Sequence, residues 1–107
     1  MTLKKQIAQK LHAVTDDVAG GNNDRFRDLV DLVMLSDLEP ASTQLRVVCE
    51  EMFQLRGRLS WPPAILAHET WIAPMEPRAI EMGLPVTTAD AIIEHVNHCV
   101  EDITATS

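Results

Sequence analysis

The chain has 107 residues, of which 46% are hydrophobic and four are aromatic, and its formal net charge is −7. This length predicts a single domain, residues 1–107, that buries roughly two-thirds of its unfolded surface. All three lysines lie in the first ten residues, and beyond Arg78 there are five acids and no lysine or arginine. Because a protein that binds a nucleic-acid backbone carries a basic stripe, this charge pattern argues against DNA binding.

The two cysteines, Cys49 and Cys99, fall on the apolar faces of predicted helices. That position is typical of reduced core thiols in a cytosolic protein. No apolar run reaches membrane-spanning length, and the N-terminus lacks the apolar segment of a signal peptide. We therefore expect a cytoplasmic protein without a membrane partner.

The first predicted helix is capped by Thr2 and runs to about Thr15, and one side of it is apolar: Leu3, Ile7, Leu11 and Val14. Lys10 falls inside this apolar stripe, whereas His12 falls on the opposite face and is expected to be solvated. Two interpretations of Lys10 stay open. Its stem can lie on apolar surface while the ammonium reaches water, or the ammonium can point inward to a carboxylate, for which Asp28 is the candidate.

A central helix is predicted over residues 24–36, after a Gly- and Asn-rich loop at 16–23 that ends in a capping Asn22 or Asn23. Its main stripe consists of Phe26, Leu29, Val30, Val33 and Met34. Asp28 shares a row with Leu32 and Leu35, while Asp31 and Asp24 lie on the adjoining polar arc. A carboxylate among leucines costs a few kcal/mol to bury unless a cation compensates it. The row therefore predicts a cationic partner for Asp28.

The third helix is predicted from Pro40, in its first turn, to Gly57, and its inward stripe is Leu45, Val48, Cys49, Met52 and Leu55. Arg56 and Arg58 flank that glycine and can serve the helix C-terminus, with phosphate binding as a secondary possibility. The following Ser60-Trp-Pro-Pro63 is expected to form a rigid surface turn, with the indole packed as a lid or docked on another domain.

Two prolines constrain the next helix, because an interior proline costs about 3 kcal/mol. We expect this helix to start near Pro74, with Pro74 and Pro77 in its first turn, and to stop at Gly83. Thr87-Thr-Ala-Asp90 then resembles a capping box for a last helix. His95 and His98 lie on the flank of that helix without a third ligand at zinc spacing, so no metal site is predicted. The expected fold is all-α, with about five helices and no sheet.

Two stretches, in order, resemble the AbiEii-type abortive-infection nucleotidyltransferases. Gln6-Ile-Ala-Gln-Lys-Leu-His-Ala13 is similar to the family's A-E-K-L-H-A stretch, and Arg27-Asp-Leu-Val-Asp-Leu32 is similar to its R-x-K/R-D-L-Y-D-L stretch, with Val30 in place of the usual Tyr. Phe53-Gln-Leu-Arg56 and Trp61-Pro-Pro63 stand where the family has an F-x-x-R and a Pro/Trp segment. The likeness extends over residues 3–103.

The resemblance implies the helical C-terminal lobe of a two-lobed nucleotidyltransferase. It carries over Lys10, Asp28 and Asp31 as active-site residues near the nucleotide. Further binding candidates are Arg27, Arg56, Trp61 and Trp71, the two tryptophans as part of a surface that meets another domain or chain.

The family's metal-binding head, a G-S segment followed by a D-x-D pair, has no counterpart among these 107 residues. Nucleotidyl transfer needs carboxylates that hold Mg²⁺ over the nucleotide phosphates. We therefore expect a stand-alone or truncated lobe that is not catalytic by itself and has no cofactor. Mg²⁺ and a nucleoside triphosphate are expected only together with a separate head.

Two other classes of function remain open. A lobe without its head exposes apolar area, which favours a helical interaction module that forms a homodimer or binds a separate chain. The net charge of −7 also suits an antitoxin-like or regulatory protein that binds a basic partner.

Overall fold

The computed structural model describes residues 2–15, 25–57, 60–65 and 69–106, which form five α-helices and no strand. The predicted all-α fold is confirmed. The helices are α1 (Leu3–Thr15), α2 (Arg25–Leu38), α3 (Thr43–Arg56), α4 (Glu69–Glu81) and α5 (Ala89–Ala105). The predicted loop at 16–23, with its capping asparagines, lies outside the described residues, as do Asp24 and Arg58. None of the described helices combines the length and the apolar character needed to cross a bilayer.

Helix α2 is the central helix, as predicted, because it packs against α1, α4 and α5. Its side chains are accordingly buried on several faces: Leu29, Val30, Leu32, Val33 and Leu35. Met34, predicted to face inward, is instead 38% exposed, since the three neighbouring helices cover the other faces. The row that contains Leu32 and Leu35 is thus part of the core, and Asp28 lies at its end.

Helix α1 is covered on two sides, by α2 and by α3, and this overturns the prediction that His12 is solvated. The His12 side chain is 3% exposed. Its ring meets Phe53 of α3 edge to face, with the ring centroids 5.1 Å apart, and Phe53 meets Trp61 in the same way at 5.3 Å. These three rings connect α1, α3 and residues 60–65. Helix α1 therefore buries His12 as well as its apolar stripe, so a single buried stripe does not describe this helix.

Helix α3 begins and ends at residues that satisfy its free backbone groups. The Ser42 hydroxyl accepts a hydrogen bond from the Leu45 N–H at 3.1 Å, so Ser42 is the cap and Pro40 lies before the helix. Gly57 ends the helix in the left-handed region, with φ 70°, and its N–H donates to the Phe53 carbonyl. The predicted end at Gly57 is confirmed, whereas the predicted first turn at Pro40 is wrong.

Helix α4 starts at Glu69, five residues before the predicted start, and both Pro74 and Pro77 lie inside it. The physical reason is burial. Three side chains at helical spacing, Trp71, Met75 and Ala79, are at most 2% exposed, and they can share one face only if the helix extends through both prolines. Packing of this face therefore outweighs the two backbone hydrogen bonds that proline removes.

Two contacts from other elements hold the start and the middle of α5. Thr88, rather than Thr87, caps the helix, and its hydroxyl accepts from the Ala91 N–H. The Glu76 carboxylate of α4 accepts from the Ala89 N–H at 3.1 Å. The predicted capping box is therefore wrong in register, because the helix is capped one residue later, at Thr88. A carboxylate from a neighbouring helix also accepts from a free N–H of the first turn. Further along, the Asn97 amide bonds both the N–H and the carbonyl of Ile65.

The side chains of α3 give a direct test of the corrected core. Phe53, which was outside the predicted stripe, is 1% exposed, whereas Leu55, which was inside it, is 84% exposed. We expect Phe53→Ala to lower the free energy of unfolding by about 3–5 kcal/mol, because it opens a cavity. Leu55→Ala should change it by about 0.5 kcal/mol or less. Urea unfolding of both variants measures the two effects, and comparable losses would contradict the structure.

The raised pKa values of the two free thiols predict how the free energy of unfolding depends on pH. Burial raises the pKa of Cys49 from 9.0 to about 12 and that of Cys99 from 9.0 to about 11. Between pH 9 and 11 the unfolded thiols lose protons that the folded thiols keep, so the free energy of unfolding falls as pH rises, by at most about 1.4 kcal/mol per pH unit for each thiol. Urea unfolding across this range should show the fall, and a Cys49→Ala variant should show a shallower slope. An unchanged slope would refute this.

Candidate functional site

Helices α1 and α2 run antiparallel, and three ion pairs from two lysines of α1 join them. Near the start of α1, the Lys4 ammonium lies 3.1 Å from the Glu39 carboxylate, just beyond the end of α2. Two turns further along α1, Lys10 reaches the first half of α2. The order of these contacts fixes the register between the helices, so the side chain of Lys10 meets one particular turn of α2.

Lys10, Asp28 and Asp31 form one cluster, called here the Lys10 cluster. The Lys10 ammonium donates to Asp28 Oδ1 at 3.2 Å and to Asp31 Oδ2 at 3.1 Å. The three side chains are 25%, 18% and 32% exposed, respectively, so the cluster is partly shielded from water. The structure thus brings together all three residues that the family resemblance singled out, and the inward interpretation of Lys10 is the correct one.

The electrostatics of the cluster favour a charged lysine. Burial acts to lower the pKa of Lys10, but the hydrogen bonds to Asp31 and Asp28 and the charges of both carboxylates outweigh it, so the pKa is raised above 10.5. The Lys10 ammonium therefore stays protonated at neutral pH. With two carboxylates and one ammonium, the cluster carries a formal charge of −1.

An open pocket of about 340 Å³ adjoins the Lys10 cluster and is lined by Gln6, Gln9, Lys10, Ala13 and Asp28. An ammonium has three N–H donors, and the two carboxylates take two of them. The third N–H takes part in neither of these two bonds, and the two glutamine amides that line the pocket can donate or accept beside the ammonium. The sequence prediction missed Gln6 and Gln9, although both lie within one helical turn of Lys10.

The cluster does not by itself form a metal site. Among the described residues, no group of three or more His, Cys, Asp or Glu side chains can hold a metal ion. The two carboxylates are already compensated by an ammonium within hydrogen-bond distance. His95 and His98, which were not predicted to bind metal, have other contacts: His95 Nε2 lies 3.2 Å from the Ser36 hydroxyl, and His98 Nδ1 lies 3.3 Å from Asp102.

The remaining binding candidates lie outside this pocket. Arg27 is exposed, with its guanidinium 5.8 Å from the centroid of the Phe26 ring, and Arg56 is exposed at the end of α3. Trp61 is half-buried against Phe53. Trp71 is 2% exposed, so the prediction that its ring forms part of an exposed surface is wrong; the continued α4 helix carries it into the core.

The described part of the chain is thus an all-α domain in which a lysine is paired with two aspartates beside an open pocket. The chain belongs to the AbiEii family of nucleotidyl transferase toxins from type IV toxin–antitoxin systems, whose family model matches residues 1–98. A search of curated proteins found no match. The family resemblance drawn from the two motif stretches is therefore confirmed.

The coupling between Lys10 and Asp28 can be measured by a double-mutant cycle. We expect Lys10→Met and Asp28→Asn to destabilise the protein less than additively when combined, with a coupling free energy of about 1 kcal/mol, because the two partners are mostly shielded from solvent. Urea unfolding of the wild type, both single variants and the double variant gives the value. A matched cycle on Arg46 and Glu50 should give a smaller coupling, because this pair is longer, at 3.6 Å, and the Glu50 side chain is 45% exposed. Additive effects at Lys10 and Asp28 would contradict the contact.

Proposed function

We propose that residues 1–107 act as the helical C-terminal lobe of an AbiEii-type nucleotidyltransferase toxin and bind the phosphates of a nucleoside triphosphate at the Lys10 cluster. The observation that carries this proposal is the position of the Lys10 ammonium, between Asp28 and Asp31 and at the edge of an open pocket. Family membership supplies the class of reaction.

Each residue of the cluster has a distinct role in this proposal. The Lys10 ammonium pairs with a phosphate oxygen as a point charge. The Asp28 and Asp31 carboxylates hold the ammonium in place and keep it protonated, so it needs no rearrangement when an anion arrives. A local charge of −1 also means that an anionic ligand has to compete with two carboxylates, so we expect the lobe alone to bind nucleotide weakly.

We further propose that these residues do not catalyse nucleotidyl transfer by themselves. Support comes from the sequence, which contains neither a Gly-Ser pair nor a D-x-D pair, and from the described residues, which offer no set of metal ligands. Mg²⁺ would be bound by a head that another segment or chain provides, and it would neutralise charge on the phosphates as they react.

The description of the family as a type IV toxin–antitoxin component also suggests a protein partner. We propose that an antitoxin is such a partner. A helical interaction module that does not use nucleotide is the alternative function. Light scattering distinguishes the two, because a dimer that is unaffected by nucleotide and Mg²⁺ would favour the interaction module.

Calorimetric titration of the purified chain with ATP and with GTP tests the proposed site. We expect weak binding that falls by about tenfold or more in Lys10→Ala, because a charge-assisted phosphate contact is lost. Lys5→Ala is the matched control: Lys5 is exposed on the same helix and does not line the pocket, so its removal should leave affinity nearly unchanged. Circular dichroism verifies that both variants fold.

Equal losses of nucleotide affinity in the two variants would contradict the proposed site. They would indicate nonspecific attraction to the lysine-rich helix α1 instead. The non-catalytic proposal has a separate test, in which the chain is incubated with Mg²⁺, labelled nucleotides and RNA or protein acceptors. Incorporation of label by the chain alone, lost in Asp28→Asn, would overturn it.

A further inference from the structure

Away from the Lys10 cluster, α5 borders two adjoining depressions, called here the α5 surface. The first, of about 490 Å³, lies between α5 and the end of α2 and includes Asp37, Pro40 and Cys99 in its lining. The second, of about 640 Å³, lies between α5 and α4 and includes Ile72 and Ile93. Both depressions are lined by Glu94 and His98, so they form one continuous surface. It shares no lining residue with the pocket at Lys10.

The α5 surface combines apolar and acidic side chains. Its apolar part includes Val86, Ala91 and Ile72, and the Ile72 side chain is 46% exposed. Five carboxylates line the two depressions, and all of them are exposed: Asp37, Asp90, Glu94, Glu101 and Asp102. Among the described residues that line the surface there is no lysine or arginine, and His98 is already 3.3 Å from Asp102.

Ser36 of α2 and His95 of α5 both line the first depression and contact each other. The Ser36 hydroxyl donates to the Val33 carbonyl at 2.8 Å and also lies within hydrogen-bond distance of His95 Nε2, at 3.2 Å. This second contact joins α2 to α5 beneath the depression.

We infer that the α5 surface binds an amphipathic segment of a partner protein that carries Lys or Arg beside its apolar side chains. Charge complementarity carries the inference, because five exposed carboxylates, of which Asp102 alone has an ion-pair contact among the described residues, repel each other and any acidic ligand, whereas a basic segment relieves that repulsion. The apolar side chains between the carboxylates give such a segment area to bury, and two depressions on either side of one helix fit side chains spaced along a helical ligand.

The probe for this site is a fluorescein-labelled peptide of about 14 residues, built of Leu and Lys at helical spacing, with a peptide that has Glu for Lys as its counterpart. Fluorescence anisotropy with the full chain should show binding of the Lys peptide only. Substituting E94Q together with E101Q should weaken that binding by about fivefold or more. The matched control, E51Q with E81Q, removes the same charge from exposed positions outside the surface and should have little effect.

A second pair of variants tests the apolar part. Ile72→Ser should weaken binding of the Lys peptide, whereas Ile80→Ser should not. Both isoleucines are exposed on α4, but Ile80 lies two turns away and does not line the surface. Losses of equal size in the paired variants, or equal binding of the Glu peptide, would overturn the inference. So would a dimer in light scattering that dissociates in the E94Q and E101Q variant, because it would assign the surface to a second copy of this chain.

Discussion

The position of α2 between three other helices is the constraint on which the rest of the structure depends. Because α1, α4 and α5 all pack against it, α2 buries apolar side chains on several faces and keeps only a narrow polar arc. Asp28 and Asp31 occupy this arc one turn apart. Carboxylates at the edge of a core need a compensating cation, and the antiparallel neighbour α1 presents Lys10 at that level. The packing that forms the core therefore also assembles the charged cluster.

In the proposed phosphate-binding role, the Lys10 cluster would present its ammonium to a ligand in a fixed position. Both carboxylates lie on one helix and the ammonium on another, so the ammonium is oriented by two hydrogen bonds before any anion arrives. Preorganisation of this kind reduces the entropy that binding would otherwise cost. The same carboxylates weaken the attraction for phosphate, which is consistent with a lobe that acts together with other charged groups rather than alone.

The two proposed sites lie near different ends of α2. The Lys10 cluster is close to the start of α2, and the α5 surface, which includes Asp37, is close to its end. A basic partner segment at α5 would leave the pocket at Lys10 accessible, because the two sites share no residue. This separation would allow one domain to bind a nucleotide and a protein independently, which suits a component of a toxin–antitoxin pair.

Helix count, family and the candidate pair Lys10 and Asp28 could be predicted from the sequence, because periodicity and the two motif stretches are properties of consecutive residues. Helical periodicity singled out Lys10 and Asp28, because each places a charge within an apolar row. Such a charge needs a partner whichever way the chain folds. The positions of His12 and Leu55 were predicted wrongly, and Phe53 was left out of the predicted stripe of α3. Helical periodicity assumes one buried stripe for each helix, whereas α1 is covered by α2 and α3, and α3 packs against α1, α5 and Trp61.

The sequence by itself thus determined that the chain forms about five helices and no sheet, and which charges require compensation. Only the tertiary structure decided that α4 extends through Pro74 and Pro77, that Glu76 serves the start of α5, and that Asp31 shares Lys10 with Asp28. Each of these outcomes depends on a neighbouring helix. The packing energy of that helix, or a bond to one of its side chains, outweighs the local preference of the residues concerned. Local preference depends on consecutive residues, whereas the residues of other helices that each side chain contacts are decided only when the helices pack.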